Sequence, residues 1–343
     1  MSSRPTREKS VECGFSLIEL MVALTIGALI GTTAIAMYGQ LATSFRQDDL
    51  YREMQENGRT ALQSLADDLS MADFWGQIVA SDDVGTSLVS TAGGCEDSVT
   101  LFDADQSILV NNYNASPATT QFTLCNTIAN VLQPSTDVLV IKRVAGTPTA
   151  KTFIDTADVD GDSDVTETIT TGAADLDAGT VYLRSNGNTG MLISNASSSS
   201  PPATGESDWL YRPKIYFIRT FYDTAADGDP ALCRLALDDS TNFEDAECVA
   251  RGIEHFHVQF GIDTDGDGFA NLYTASPSVA DMESAVTARL HIISRTVEPM
   301  PFHTDDKVYR LGDITLAAKN DGFMRQLSTT TVVIRNTVNR SLL

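Results

Sequence analysis

From Leu20 to Met37 the chain runs without a charged side chain, and immediately before that run sits one carboxylate, Glu19. At about 1.5 Å of rise per residue the uncharged run spans roughly 27 Å as a helix, nearly the hydrocarbon core of a bilayer. Past Met37 the pattern changes rather than stops. Phe45, Leu50, Met54, Ala61, Leu62, Leu65, Ala66, Leu69 and Ala72 recur at three- and four-residue steps. Asp48, Asp49, Arg52, Glu53, Arg59, Asp67 and Asp68 fall largely between them, which is the signature of an amphipathic helix. Asn57-Gly58 interrupts the stripe and is expected to soften or kink it, since glycine costs about 1 kcal/mol against alanine inside a helix. Gly76 marks the stop. One long helix is predicted over residues 15–76, with its transmembrane part over 17–39 and its second half packed on a globular head.

The next stretch, Ser81 to Ala178, is rich in Ser, Thr, Asn, Asp and Gly, with short strand-like runs at Ser98–Phe102, Gln121–Leu124 and Asp137–Val144. It reads as long loops and small strands, a loop-rich insertion in the head. A Ser/Pro-rich segment, Asn195 to Glu206, reads as a mobile loop. Stronger strand patterns follow at Thr180–Arg184, Lys214–Tyr222, Ala231–Leu237, Gly252–Gly261, Ala285–Arg295 and Leu327–Arg335. Ile253, His255, His257 and Gln259 alternate with Glu254, Phe256, Val258 and Phe260. An antiparallel sheet packed on the helix follows, so the fold class is α+β. The domains are 1–14 as a leader, 15–76 as the helix, 77–207 as the insertion and 208–343 as the β-sheet head.

At the front of the apolar run stands Gly14-Phe15-Ser16-Leu17-Ile18-Glu19-Leu20, preceded by Arg4, Arg7 and Lys9. These residues resemble the processing and assembly signature of type IV pilins and of the pseudopilins of type II secretion. The resemblance implies that prepilin peptidase cuts after Gly14 and methylates Phe15, and that Glu19, then the fifth residue, pairs with the N-terminal amine of a neighbouring subunit. A charge inside a membrane-length segment costs roughly 2.5–3.5 kcal/mol on insertion scales, so a cation from the next protomer is a natural remedy. Cys13 departs from the basic residue commoner at that position. A secretory signal peptide cut at Ala34-Ile35-Ala36 is the rival reading; its apolar region would exceed the usual ~7–15 residues and would contain a glutamate. A plain membrane anchor is the other.

Two further stretches narrow the resemblance. Gln55-Glu56-Asn57-Gly58-Arg59 and Asp68-Leu69-Ser70-Met71-Ala72-Asp73-Phe74-Trp75-Gly76 look like the helix end of PilW-type minor pilins, with Ser70 and Asp73 replacing the usual arginine and glycine. Phe74 and Trp75 read as a hydrophobic clasp there. Ala288–Arg295 and Arg325–Asn336 are similar to the last strands of the same family. The resemblance implies a pilin architecture and a minor pilin that primes or caps pilus assembly. Its partners are then other minor and major pilins, the peptidase and the inner membrane, where it is single-pass before it joins an extracellular pilus. A pseudopilin of type II secretion and a pilus-associated surface adhesin are the alternatives.

The formal net charge of −23 disfavours direct nucleic-acid binding, which needs a cationic patch, and favours divalent cations. Once Cys13 leaves with the leader, Cys95, Cys125, Cys233 and Cys248 remain. An oxidising destination makes disulfides the expectation, and of three possible pairings Cys95–Cys125 and Cys233–Cys248 each close a local loop. Reduced thiols or a metal site are the alternatives, though no C-x-x-C spacing supports zinc.

Gly261 to Asn271 places Asp263, Asp265 and Asp267 at alternate positions before Gly268, as in a loop that wraps calcium. The Phe269 carbonyl and Asn271 are further candidate ligands. Thr274 stands where an EF-hand has its bidentate glutamate, so Asp281 or Glu283 would have to complete the shell. The same acidic run resembles one in PilW-type proteins. The rival reading is a solvated acidic turn. A weaker calcium candidate joins Asp158, Asp160, Asp162, Asp164 and Glu167. His255 and His257 read as a partly buried structural pair rather than metal ligands. No nucleophile elbow, Walker A, zinc-protease or dinucleotide fingerprint is present, and no enzymatic activity is expected.

Overall fold

The computed structural model describes residues 16–78, 83–85, 89, 101–102, 104, 106–113, 119–155, 167–172, 180–194, 202–237 and 245–337. The chain divides into two units, Met1–Leu50 and Tyr51–Leu343. Helix α1, Leu17–Ser70, begins in the first. It is helical without interruption through Asn57-Gly58. Gly58 is buried, and a Cβ there would meet Ser294 Oγ at 3.1 Å. The glycine therefore serves close helix–sheet approach, and packing outweighs its weak helix propensity.

Among the described residues, eighteen strands, numbered in chain order, form four sheets. The first runs β1 (Val84–Gly85), β8 (Gly190–Ser194), β7 (Val181–Ser185), β9 (Ser207–Leu210), β5 (Ala150–Asp155) and β6 (Glu167–Gly172). The second runs β12 (Glu247–Arg251), β11 (Ala231–Ala236), β10 (Lys214–Arg219), β4 (Val138–Ile141), β2 (Ile108–Asn112) and β3 (Thr119–Thr120). The third is β14 (Leu272–Thr274), β13 (Ile253–Ile262), β15 (Ala285–Arg295) and β18 (Arg325–Val333). A hairpin of β16 (Tyr309–Leu311) and β17 (Ile314–Leu316) completes the set. Pairing is antiparallel except between β1 and β8. The protein is α+β, with one long N-terminal helix and antiparallel sheets.

The second sheet is buried on both faces. Ile108, Val110, Leu139, Ile141, Tyr216 and Ile218 join one core with Ala61, Leu65 and Leu69 of α1 and Phe256, Val258, Phe260, Leu290 and Ile292 of the third sheet. Leu109, Val140, Ile215 and Phe217 join the other with Leu183, Leu192 and Trp209 of the first sheet. Alternate residues of one strand thus enter two cores, which is why Val138–Ile141 reads as an unbroken apolar run. Because β4 pairs with β10, strands on either side of residue 207 share one sheet. Residues 101–102 are helical rather than strand, and 121–124 form no strand, the pairing there coming from Thr119–Thr120 instead.

At its C-terminal end α1 stops at Ser70 and the chain turns through Asp73, whose φ is 63°. That left-handed conformation is the one glycine adopts freely and Asp tolerates, which accounts for Asp73 in a slot where the resemblance expects glycine. Its carboxylate accepts from Trp75 Nε1 at 3.0 Å and from Ser107 Oγ. Trp75 is buried and stacks on Tyr211, while Phe74 meets Trp209 edge-on. The expected clasp is present. Gly76, at φ 68°, lies against the indole of Trp209, where a Cβ would come within 2.6 Å.

Candidate functional site

In the first unit, Leu17, Ile18, Leu20, Met21, Leu24, Leu29, Ile30, Ile35 and Met37 are all more than half exposed. Among the described residues, α1 is the one helix long and apolar enough to cross a membrane. The hydroxyls of Thr25, Thr32 and Thr33 donate to carbonyls one turn back, so even the polar side chains of this segment are satisfied within the helix.

Glu19 lies in the first turn, not in the interior of the apolar run. Its Oε2 accepts from the Ser16 backbone N–H at 3.1 Å, and Leu20 N–H donates to the Ser16 carbonyl at 3.1 Å. This is the carboxylate half of a capping box, set at the positive end of the helix dipole. Within a single chain the carboxylate thus caps its own helix at Ser16, the residue after Phe15 in the sequence. Gly14 and Phe15 themselves lie outside the described residues.

In the second unit, the Asp263 loop joins β13 to β14. The carboxylates of Asp263, Asp265 and Asp267 converge within 4.8 Å of one another. Asp263 is buried; its oxygens accept from the N–H groups of Asp265 at 3.2 Å, Gly266 at 2.7 Å and Gly268 at 2.7 Å. Those donors, the Gly268 N–H foremost, hold its carboxyl below the usual range. Asp267 accepts from Phe269 N–H at 2.8 Å. The donor set is all oxygen and suits a hard cation such as calcium. Asn271 Oδ1 instead accepts from Thr264 N and Oγ1 at 3.0 and 2.9 Å, tying the loop's two ends together. Asp281 is committed elsewhere, to the capping box of the short helix Val279–Glu283 with Ser278.

Cys233 and Cys248, opposite each other on β11 and β12, form a disulfide, and Cys125 is disulfide-bonded. Cys95, Asp158, Asp160, Asp162 and Asp164 lie outside the described residues, as do residues 195–201, and the Glu167 side chain is likewise not described. His257 is fully buried: Nδ1 faces Asp137 Oδ2 at 3.0 Å and Nε2 faces Asp313 Oδ1 at 2.9 Å. Burial pushes its imidazole down, but the two carboxylates outweigh that and raise its pKa. It links β13 to Asp137 on one side and to the β16–β17 turn on the other.

Two buried charge nodes have no sequence signal. Asp68 of α1 accepts from Lys214 Nζ at 2.8 Å, Arg143 Nη2 at 2.9 Å and the Tyr216 hydroxyl. Arg325 at the start of β18 meets Glu254, Asp305 and Asp321 at 2.5, 3.0 and 2.7 Å. Asp321 is four residues from Arg325, but the other partners lie 20 to 148 residues away, so the fold brings them together.

Comparison with known proteins locates two similarities. Residues 9–35 match the prokaryotic N-terminal methylation motif, and residues 215–336 match the family described as type IV pilus-assembly protein W. The second match runs to the end of β18 and takes in the whole third sheet, which shares a core with α1. A type IV-like pilin from Thermus thermophilus aligns over 82% of this chain and 96% of its own, at 10% identity and a TM-score of 0.35. No curated protein matches the chain significantly.

Proposed function

We propose that this chain is a PilW-like type IV pilin, and within that group a minor pilin that helps prime or cap the pilus fibre. Prepilin peptidase cuts between Gly14 and Phe15, and the apolar part of α1 holds the product in the inner membrane until it enters the extracellular filament. The observation that carries this reading is the exposed apolar surface of Leu17–Phe45 with Glu19 at its N-terminal tip. A surface that long and apolar needs lipid or other helices to cover it. The cut leaves a free amine on Phe15, four positions before Glu19 in the sequence. Glu19 then exchanges its internal cap for a cation, its own new terminus or that of a neighbouring pilin, and so sets the register of helix packing. The role is structural and involves no catalysis. The Asp263 loop would take calcium, with Asp263, Asp265 and Asp267 as ligands, fixing the turn that joins β13 to β14.

Glu19→Ala tests the assembly role. The variant is expected to be cut and methylated normally and to accumulate in the membrane, yet to be missing from sheared filaments. Normal incorporation would remove Glu19 from the account.

A further inference from the structure

Strand β18 ends the third sheet, and among the described residues no strand pairs with its outer edge. Nine residues of open edge extend roughly 30 Å at about 3.3 Å each. Natural proteins blunt such edges with proline, lysine, bulges or short length. From Gln326 to Val333 there is no proline or charge, and the register with β15 is unbroken. Beside this edge lies a groove of about 440 Å³, walled by α1 through Arg59, Leu62 and Ala66 and floored by Gln326, Ser328 and Thr330.

Arg59 is the second observation. Arg143, Arg184, Arg234, Arg251, Arg295 and Arg325 each meet a carboxylate within the chain. Arg59, exposed on α1, has no ion pair among the described residues; Arg212, Arg219, Arg289, Arg310 and Arg335 have none either, but Arg59 is the arginine that lines this groove. An open ladder, an apolar wall and an uncompensated guanidinium in one groove describe the counterpart to be docked. It is extended, presents backbone donors and acceptors to β18, and alternates an apolar residue toward Leu62 with a carboxylate toward Arg59.

We propose that this groove receives an extended acidic segment from a different pilin subunit, which adds to the third sheet as a fifth strand. This rests on the minor-pilin reading. A second copy of the chain is disfavoured, because symmetric edge-to-edge pairing of β18 sets Arg59 against Arg59. The ladder supplies affinity, and the Arg59–carboxylate pair selects the partner and its register.

The test uses the full-length chain in cells that assemble the filament, with a photocrosslinking phenylalanine analogue at Ser328 or, separately, at Thr330. Crosslinked peptides are sequenced, and the N-terminal peptide is read from the same sample. Both positions should capture one other pilin, at sites two residues apart, as a β-ladder requires. Arg59→Glu should reduce capture about tenfold or more while Arg59→Lys largely retains it. The proposal is overturned by no capture from a chain present in filaments, by capture of an identical copy, by attachment without the two-residue step, or by Arg59→Glu capture at the parent level. Any of these leaves the minor-pilin reading standing if the sample carries methylated Phe15 and sediments with filaments. If it does neither, that reading falls and the proposal falls with it.

Discussion

Gly58 faces Ser294 so closely that a Cβ on the glycine would sit 3.1 Å from the serine Oγ. Ser294 is itself buried in β15, so the contact has little room to relax. Gly58→Val should therefore force the second half of α1 away from the third sheet. Overpacking of this kind costs about 1–3 kcal/mol, and the β-branched side chain leaves only a few tenths of a kcal/mol of gain in helix propensity against it. Thermal unfolding of the detergent-solubilised chain measures it; an unchanged midpoint would mean that the helix does not depend on this contact.

Asp68 holds two cations and a tyrosine on one carboxylate. Burial pushes its pKa up, but hydrogen bonds from Lys214, Tyr216 and Arg143 outweigh burial and leave it lowered. Asp68→Ala strands Arg143 and Lys214 beside a core and should destabilise by about 3–5 kcal/mol, read by urea unfolding. A loss below about 1 kcal/mol would place the node in the class of exposed ion pairs.

Acid should weaken the fold before the carboxylates titrate. Burial, first among the causes, pushes His255 and His291 down to about 4, with His257 also lowering both. For His291, Arg289 lowers further and Asp313 opposes. An unfolded histidine takes its proton near pH ~6.5, so between about 6.5 and 4 the unfolded chain binds more protons and stability falls as pH drops. His257 shifts the other way; its contribution is already complete below ~6.5 and leaves this window unaffected. Stability against pH for His291→Leu should show a shallower decline than the parent. Identical slopes would remove His291 from the explanation.

Calcium occupancy is read most cleanly at Asp265, whose side chain accepts none of the backbone bonds that shape the loop, unlike Asp263 and Asp267. Calcium at about 100 times its dissociation constant adds roughly 2.7 kcal/mol to stability. The parent should gain melting temperature with calcium and lose it with chelator, while Asp265→Ala should respond to neither. A parent indifferent to both would make the loop a self-capped acidic turn.

The long helix was legible because its pattern has one period per environment: continuous apolar residues in the membrane-length part, a stripe beyond Leu50. Strands β13 and β15 were legible by alternation, Ala285–Arg295 to the residue. In the second sheet β4, β10 and β11 were legible as strands, whereas β2, buried on both faces and ending in Asn111 and Asn112, shows no alternation to mark its period. Strands such as β5 and β6 are rich in threonine and charge and look like loop. The packing role of Gly58 was hidden for a physical reason: propensity describes an isolated helix, whereas this position faces a sheet. Asp68 was hidden in the same way, since a carboxylate at the margin of an apolar stripe looks solvated until the strands bearing Arg143, Lys214 and Tyr216 arrive. The Asp263 carboxylates were legible as a cluster, because their spacing is local. That Asp281 and Asn271 were already committed to neighbours was not.

The most direct measurement is the mass and sequence of the N-terminal peptide of the mature chain recovered from sheared filaments. The account predicts a chain that begins at N-methylated Phe15 with Glu19 as its fifth residue. A chain still beginning at Met1, or one beginning at Met37 after a cut behind Ala36, would contradict it.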